Sequence, residues 1–134
     1  MDQEQKNSLP DKTAVLIVED DAFMGSLLER KFEQESFSIF LATNTEKARE
    51  IIKSNQIAII LLDIVLPGMD GLTFLKELKA TPQLKDIPVI ITSNLGKPEE
   101  IEKGLAEGAS GYIIKAQVST SEIVRKVREI LEKK

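Results

Sequence analysis

The 134-residue chain contains neither cysteine nor histidine. Without thiols it has no disulfide framework, no thiolate metal site and no cysteine nucleophile. Without imidazole, every mechanism that places a histidine on this chain as base, metal ligand or phosphoryl carrier is excluded. Basic residues are in the minority, 18 Lys and Arg against 22 Asp and Glu, for a net charge of -4 and a pI near 5.0. That balance argues against broad nucleic-acid binding, which needs a basic footprint to neutralise phosphates. No apolar run reaches the roughly 20 residues of a membrane span. The N-terminus lacks the apolar core of a signal peptide, so a soluble, cytoplasmic protein in a reducing compartment is expected. The length suits one domain able to bury a core without crosslinks.

What the chain does contain is an alternation of two periodicities. Residues 1–12 are polar and read as a flexible tail, leaving 13–134 as the domain. Thr13 to Val18 is an apolar, β-branched strand that ends in Glu19-Asp20-Asp21. Phe23, Leu27, Leu28 and Phe32 then fall on one face of a helix from Ala22 to Glu35. Phe37 to Ala42 is a second strand, followed by N-cap candidates Thr43, Asn44 and Thr45 and a helix with Ala48, Ile51 and Ile52 inward. Ile57 to Leu62 is a continuous apolar run, the pattern of a strand buried on both faces of a parallel sheet. It meets a single carboxylate, Asp63, where a Pro-Gly loop begins. Helical spacing resumes from Gly71 to Ala80; a fourth strand runs from Ile87 to Thr92, and a helix from Pro98 to about Glu107 contains Gly104, a helix-weakening residue that hints at mobility. Gly111 to Lys115 is a fifth strand, and Thr120 or Ser121 can cap a last helix with Ile123, Val124, Val127, Ile130 and Leu131 buried. Five strand-helix alternations with short connections and right-handed crossovers predict an α/β fold: a flavodoxin-like doubly wound (βα)5 unit, its five-stranded parallel sheet in the order 2-1-3-4-5.

In that order the ends of strands one, three, four and five lie side by side at the edge where open α/β sheets carry out their chemistry. They supply Glu19 and Asp20, then Asp63, then Thr92, then Lys115. Each has an ordinary explanation when taken alone. Acids favour a helix N-terminus, an aspartate at a strand end can bond nearby backbone, and a lysine can be a solvated surface charge. Together they form a complementary set. Clustered carboxylates repel unless a cation intervenes. Hard oxygen ligands suit Mg²⁺, which keeps several waters exchangeable for phosphate oxygens. Lys115 and Thr92 offer a compact charge and a hydroxyl to phosphoryl oxygens arriving at Asp63, whose carboxylate can itself be the nucleophile.

The motifs Val18-Glu19-Asp20-Asp21, Leu62-Asp63-Ile64-Val65-Leu66-Pro67-Gly68-Met69-Asp70-Gly71, Pro88-Val89-Ile90-Ile91-Thr92-Ser93 and Gly111-Tyr112-Ile113-Ile114-Lys115 strongly resemble the receiver domain of bacterial two-component response regulators, members of the CheY-like superfamily. The resemblance covers nearly all of the chain from Thr13 to Lys134. It implies that Asp63 is the phosphoacceptor and that Glu19 and Asp20 form an acidic pocket. Asp20 and Asp63 would bind Mg²⁺ directly, Glu19 through water, with the Val65 carbonyl completing the set. Thr92 and Tyr112 would be the switch pair and Lys115 the lysine that contacts the phosphoryl group. The family usually follows this lysine with proline, often through a cis bond. Here Ala116 follows, so a trans peptide and a re-routed loop are expected.

The function so implied is a phosphorylation switch, catalysing only its own phosphoryl transfer and dephosphorylation. The donor would be a sensor histidine kinase or phosphotransfer protein. The output would be a downstream protein, or a second copy, bound through the fourth helix, fifth strand and fifth helix, with no direct nucleic-acid or membrane contact. The alternatives are a phosphorylation-independent scaffold, which the intact acid, threonine and lysine set argues against and Ala116 slightly favours, and a receiver piece excised from a larger regulator or hybrid kinase. A flavodoxin-like carrier would need a glycine- and hydroxyl-rich loop after the first strand, where Glu19-Asp20-Asp21 would repel phosphate. A phosphohydrolase of the haloacid-dehalogenase kind would expect a second aspartate where Val65 stands.

Overall fold

The computed structural model describes residues 12–66, 68, 70–94 and 96–133. The expected tail falls almost wholly outside these residues, as do Pro67 and Met69 of the loop after Asp63. Lys12, grouped above with the tail, is instead tied to the sheet: its N–H donates to the Ser36 carbonyl at 3.0 Å.

Strands β1 (Thr13–Val18), β2 (Phe37–Ala42), β3 (Ile59–Asp63), β4 (Val89–Ser93) and β5 (Gly111–Ile114) alternate with helices α1 (Ala22–Gln34), α2 (Thr45–Ser54), α3 (Gly71–Ala80), α4 (Pro98–Ala106) and α5 (Thr120–Glu132). A 3-10 turn, Lys115–Gln117, follows β5. All pairings are parallel, and the sheet order is β2-β1-β3-β4-β5, the doubly wound order expected from the alternation. The third and fourth strands start two residues later than the apolar pattern suggests. At β4 the reason is Pro88, which has no N–H to give the ladder but still accepts from Ile60 N at 3.0 Å.

Alternate residues of each strand feed two cores. Leu16, Val18, Ile60, Leu62, Val89 and Ile91 pack with Ala48 of α2 and Phe74, Leu75 and Leu78 of α3. Val15, Ile17, Leu61 and Ile90 pack on the other face with Leu28 and Phe32 of α1 and Ile123, Val124 and Val127 of α5. β1, β3 and β4 are thus buried on both sides, which is why they read as unbroken apolar runs. Continuing the alternation by two residues puts Glu19, Asp63 and Thr92 on the face of the second core, just beyond its last apolar row.

Caps fix where the helices begin. Asp21 accepts from Phe23 N and Met24 N for α1, Asn44 from Lys47 N for α2, and Asp70 from Thr73 N for α3. The cap of α5 is neither Thr120 nor Ser121. It is Ser119, whose hydroxyl accepts from Glu122 N (3.2 Å) while Glu122 Oε1 accepts from Ser119 N (2.7 Å). The helix starts one residue earlier than expected because that reciprocal bond satisfies two orphan donors. Helix α4 has Pro98 in its first turn and no side-chain cap. Its Gly104, read above as a sign of mobility, has a packing reason instead: it is buried against Ile91, whose Cδ1 would collide with any Cβ there. Among the described residues, no helix is long and apolar enough to cross a membrane.

Candidate functional site

The backbone around Asp63 is pinned on both sides. The ladder runs one step past the aspartate, with Ile64 N donating to Thr92 O (3.0 Å), and Gly71 N at the start of α3 donates back to Ile64 O (2.8 Å). This turn brings α3 so close that a Cβ on Gly71 would strike the Asp63 carbonyl oxygen and lie 2.8 Å from Ile64 Cα. Only glycine fits there. Across the β1–β2 pair, Glu19 N donates to Ala42 O at 2.9 Å, which holds the first acid of the cluster in register with the sheet.

At this edge Glu19, Asp20, Asp21, Met24, Asp63, Val65, Asn94 and Lys115 line a crevice of about 280 Å³. Carboxylate oxygens of Glu19, Asp20 and Asp63 lie within 4.8 Å of one another. Lys115 reaches in from the start of the 3-10 turn after β5. Its Nζ donates to Glu19 Oε1 (2.7 Å) and Asp63 Oδ2 (3.0 Å), all three side chains being less than a tenth exposed. Asp63 Oδ1 accepts from Val65 N (3.2 Å), and Glu19 Oε2 from Asp21 N (3.1 Å). Burial pushes the Glu19 carboxyl up from its ordinary value, a shift that the Lys115 hydrogen bond opposes. Burial works against the Lys115 ammonium, but the hydrogen bonds to Glu19 and then Asp63 outweigh it and hold the amine above its usual value. A single cation therefore sits between two buried carboxylates, with the exposed Asp20 beside them.

Five of the residues singled out from the sequence meet here: Glu19, Asp20, Asp63, Val65 and Lys115. Thr92 is buried next to them as the register partner of Asp63. Tyr112 stands apart, 43% exposed and opposite Ile91 in the β4–β5 register. The described residues contain no cis peptide, and Ala116 continues the 3-10 turn from Lys115. The lysine nonetheless reaches both acids. Asn94 and Met24 line the crevice without having been singled out. Asn94 could have been found as the residue two beyond Thr92 on the same strand exit; Met24 sits in the first turn of α1, where helical spacing alone gives no sign of a site.

A five-stranded doubly wound sheet with an acidic crevice and a buried lysine at its carboxyl edge is the architecture of a receiver domain. Residues 15–128 match the family model of the response regulator receiver domain, and the chain belongs to that family. The transcriptional regulatory protein SrrA of Staphylococcus aureus is 35% identical over 119 residues, covering 89% of this chain and 48% of its own length. The chain thus spans about half the length of the curated relatives it matches. A two-component response regulator from Clostridium difficile superposes with a TM-score of 0.83 at 29% identity, covering 90% of this chain and 97% of the other. The receiver domain of the Francisella response regulator 1452 does so at 0.80 and 30%, covering 91% and 98%.

Proposed function

We propose that this receiver domain is a phosphorylation switch in which Asp63 is the acceptor. The observation that carries the reading is the buried Asp63 carboxylate at the end of β3, with the Lys115 ammonium on its Oδ2 inside an acidic crevice open to solvent. Asp63 attacks the phosphorus of a phosphoimidazole on a sensor kinase or phosphotransfer protein. A P–O bond forms, the P–N bond breaks, and the electron pair leaves with the imidazole nitrogen, which takes up a proton. The donor histidine must come from the partner, because this chain has none. Lys115 follows the charge from the carboxylate to the new phosphoryl oxygens, and Thr92, next to Asp63 in register, offers its hydroxyl to them. The chemistry catalysed is confined to the chain's own acceptor and its hydrolysis.

The donor set fits a divalent cation: three carboxylates converge and offer hard oxygens. Asp20 and Asp63, with the Val65 carbonyl, would hold Mg²⁺, which when bound neutralises charge between acceptor and phosphoryl group. Output goes through partner binding or self-association on the α4–β5–α5 face, in the cytoplasm. The longer curated relatives carry the name of transcriptional regulators, so in the whole protein that partner can be an attached effector module. Incubation with a small phosphodonor and Mg²⁺, read by intact mass, tests the acceptor. One phosphoryl increment is expected on the parent chain and none on Asp63→Asn. An undiminished increment on the variant would remove Asp63 from this role.

A further inference from the structure

We infer that the trough beneath the amino edge of the sheet is a docking surface, and that its occupant is an acidic segment of a partner protein carrying aliphatic side chains. The inference is independent of the role proposed for Asp63, which lies at the opposite edge of the sheet.

Two hollows join there. One, of about 900 Å³, runs under the starts of β1 and β3; the other, of about 430 Å³, lies between α2 and α3 against Phe74 and Leu78. Ile52, Lys53, Gln83 and Leu84 line both, so the two form one trough. Hydrogen bonds fix its walls. Helix α2 stops at Ser54, where Asn55 Nδ2 donates to Ile51 O (3.0 Å). The chain after α3 turns back through bonds from Leu84 N to Thr81 O (2.9 Å) and from Ile87 N to Leu84 O (3.0 Å). Lys79 clamps that turn, its Nζ donating to the carbonyls of Lys85 and Ile87, each at 2.9 Å. The trough is therefore preformed, and a ligand entering it need not order it.

The lining selects the occupant. Half-buried Ile52, Leu84, Ile87 and Leu131, with buried Ile57, make the larger hollow aliphatic, a surface that a partner's aliphatic side chains gain by covering. Its charged side chains are Lys12 and Lys53, both exposed and neither in an ion pair among the described residues. In the smaller hollow Arg49 and Glu77 neutralise each other. On a chain of net charge -4, a hollow lined by two cations and no carboxylate is complementary to acid. Two lysines are too few for an anionic membrane, which takes clusters of about four to eight basic residues, or for a nucleic-acid footprint. An open trough between two helices admits an extended or helical segment along its length.

The probe is a short capped peptide of leucine and glutamate, with two controls in the same order, one of leucine and lysine and one of serine and glutamate. Methyl spectra of the full chain, labelled at isoleucine and leucine, are recorded against each peptide up to millimolar concentration. The leucine-glutamate peptide is expected to shift the methyls of Ile52, Ile57, Leu84, Ile87 and Leu131, and both controls should leave them in place. Lys12→Glu and Lys53→Glu alter exposed side chains, so the fold is kept, as the same spectra check. Each should weaken the peptide about fivefold, the scale of exchanging a partly exposed charge pair for a like-charge contact. No shift of these methyls with the leucine-glutamate peptide would overturn the inference. Equal shifts with the leucine-lysine peptide, or an affinity unchanged by both reversals, would do the same by removing any preference for acid. Shifts on dilution of the chain alone, or on deletion of residues 1–11, would give the trough to a second copy or to the chain's own segment and would also overturn it.

Discussion

Gly71 and Gly104 show that two glycines in close packing are constrained to different degrees. A Cβ on Gly71 would meet backbone, the Asp63 carbonyl and Ile64 Cα, and neither can move without shifting Asp63 itself. A Cβ on Gly104 would meet the tip of the Ile91 side chain, which can change rotamer, and alanine would gain up to about 1 kcal/mol of helix propensity. Gly71→Ala is therefore expected to destabilise the domain by about 1–3 kcal/mol, the cost of overpacking against an unyielding wall. Gly104→Ala should cost distinctly less. Urea unfolding of both variants checks the order, and equal losses would mean that the backbone beneath Asp63 yields as readily as a side chain.

Two arginines join helices that are distant in sequence. Arg49 of α2 donates from Nε to Glu77 Oε2 (2.6 Å) and from Nη2 to Oε1 (2.8 Å), with its guanidinium 5.4 Å from the centre of the Phe74 ring. Arg128 of α5 likewise donates to the Glu35 side chain and carbonyl at the end of α1 and lies over Phe37. The Arg49 hydrogen bond holds the Glu77 carboxyl below its ordinary value of 4.5. A carboxyl depressed in the folded state contributes stability that is complete above that ordinary value and is lost as the pH falls through the folded one. Because the pair is a third exposed, its contribution is under about 1 kcal/mol. Glu77→Gln should thus be slightly less stable than the parent near neutral pH, and the difference should shrink as the pH falls through the depressed carboxyl value. Urea midpoints at neutral pH and along a descending acid series measure this. A difference that persisted in acid would assign the effect to packing on Phe74.

Taken as a whole, the molecule separates Asp63, the proposed acceptor, from the surface proposed to report on it. Thr92 is buried beside Asp63, while Tyr112, one register step away on β5, is exposed at the edge of the sheet. A phosphoryl group at Asp63 can shift the α4–β5–α5 face only by the difference in its interactions with two arrangements of that face, a few kcal/mol at most. Thr92, buried in register with Asp63, is the side chain proposed to pass that difference on. Amide exchange with and without phosphodonor is expected to change across α4, β5 and α5 in the parent. In Thr92→Ala it should change only around Asp63, with the phosphoryl mass increment retained. A parent response confined to the loops around Asp63 would favour a phosphate relay over a switch.

Much of this organisation was legible in the chain itself. Apolar runs such as Ile59 to Leu62 and the helical spacing of Leu72, Leu75 and Leu78 report burial locally, and five alternations leave few right-handed topologies. The strand order and the convergence of Glu19, Asp20, Asp63 and Lys115 followed from them. The cap at Ser119 was also written in the chain, in the Ser119-x-x-Glu122 pattern, and was displaced only by equally good hydroxyls beside it. Tertiary structure alone decided what depends on angstroms between distant segments. It set the Lys115 ammonium between two acids lying 52 and 96 residues away, placed Asn94 and Met24 on the crevice wall, and required glycine at position 71 because a helix start meets a strand carbonyl. Periodicity records which face of an element is buried; it carries no term for the distance between two side chains that the sheet brings together from opposite ends of the chain.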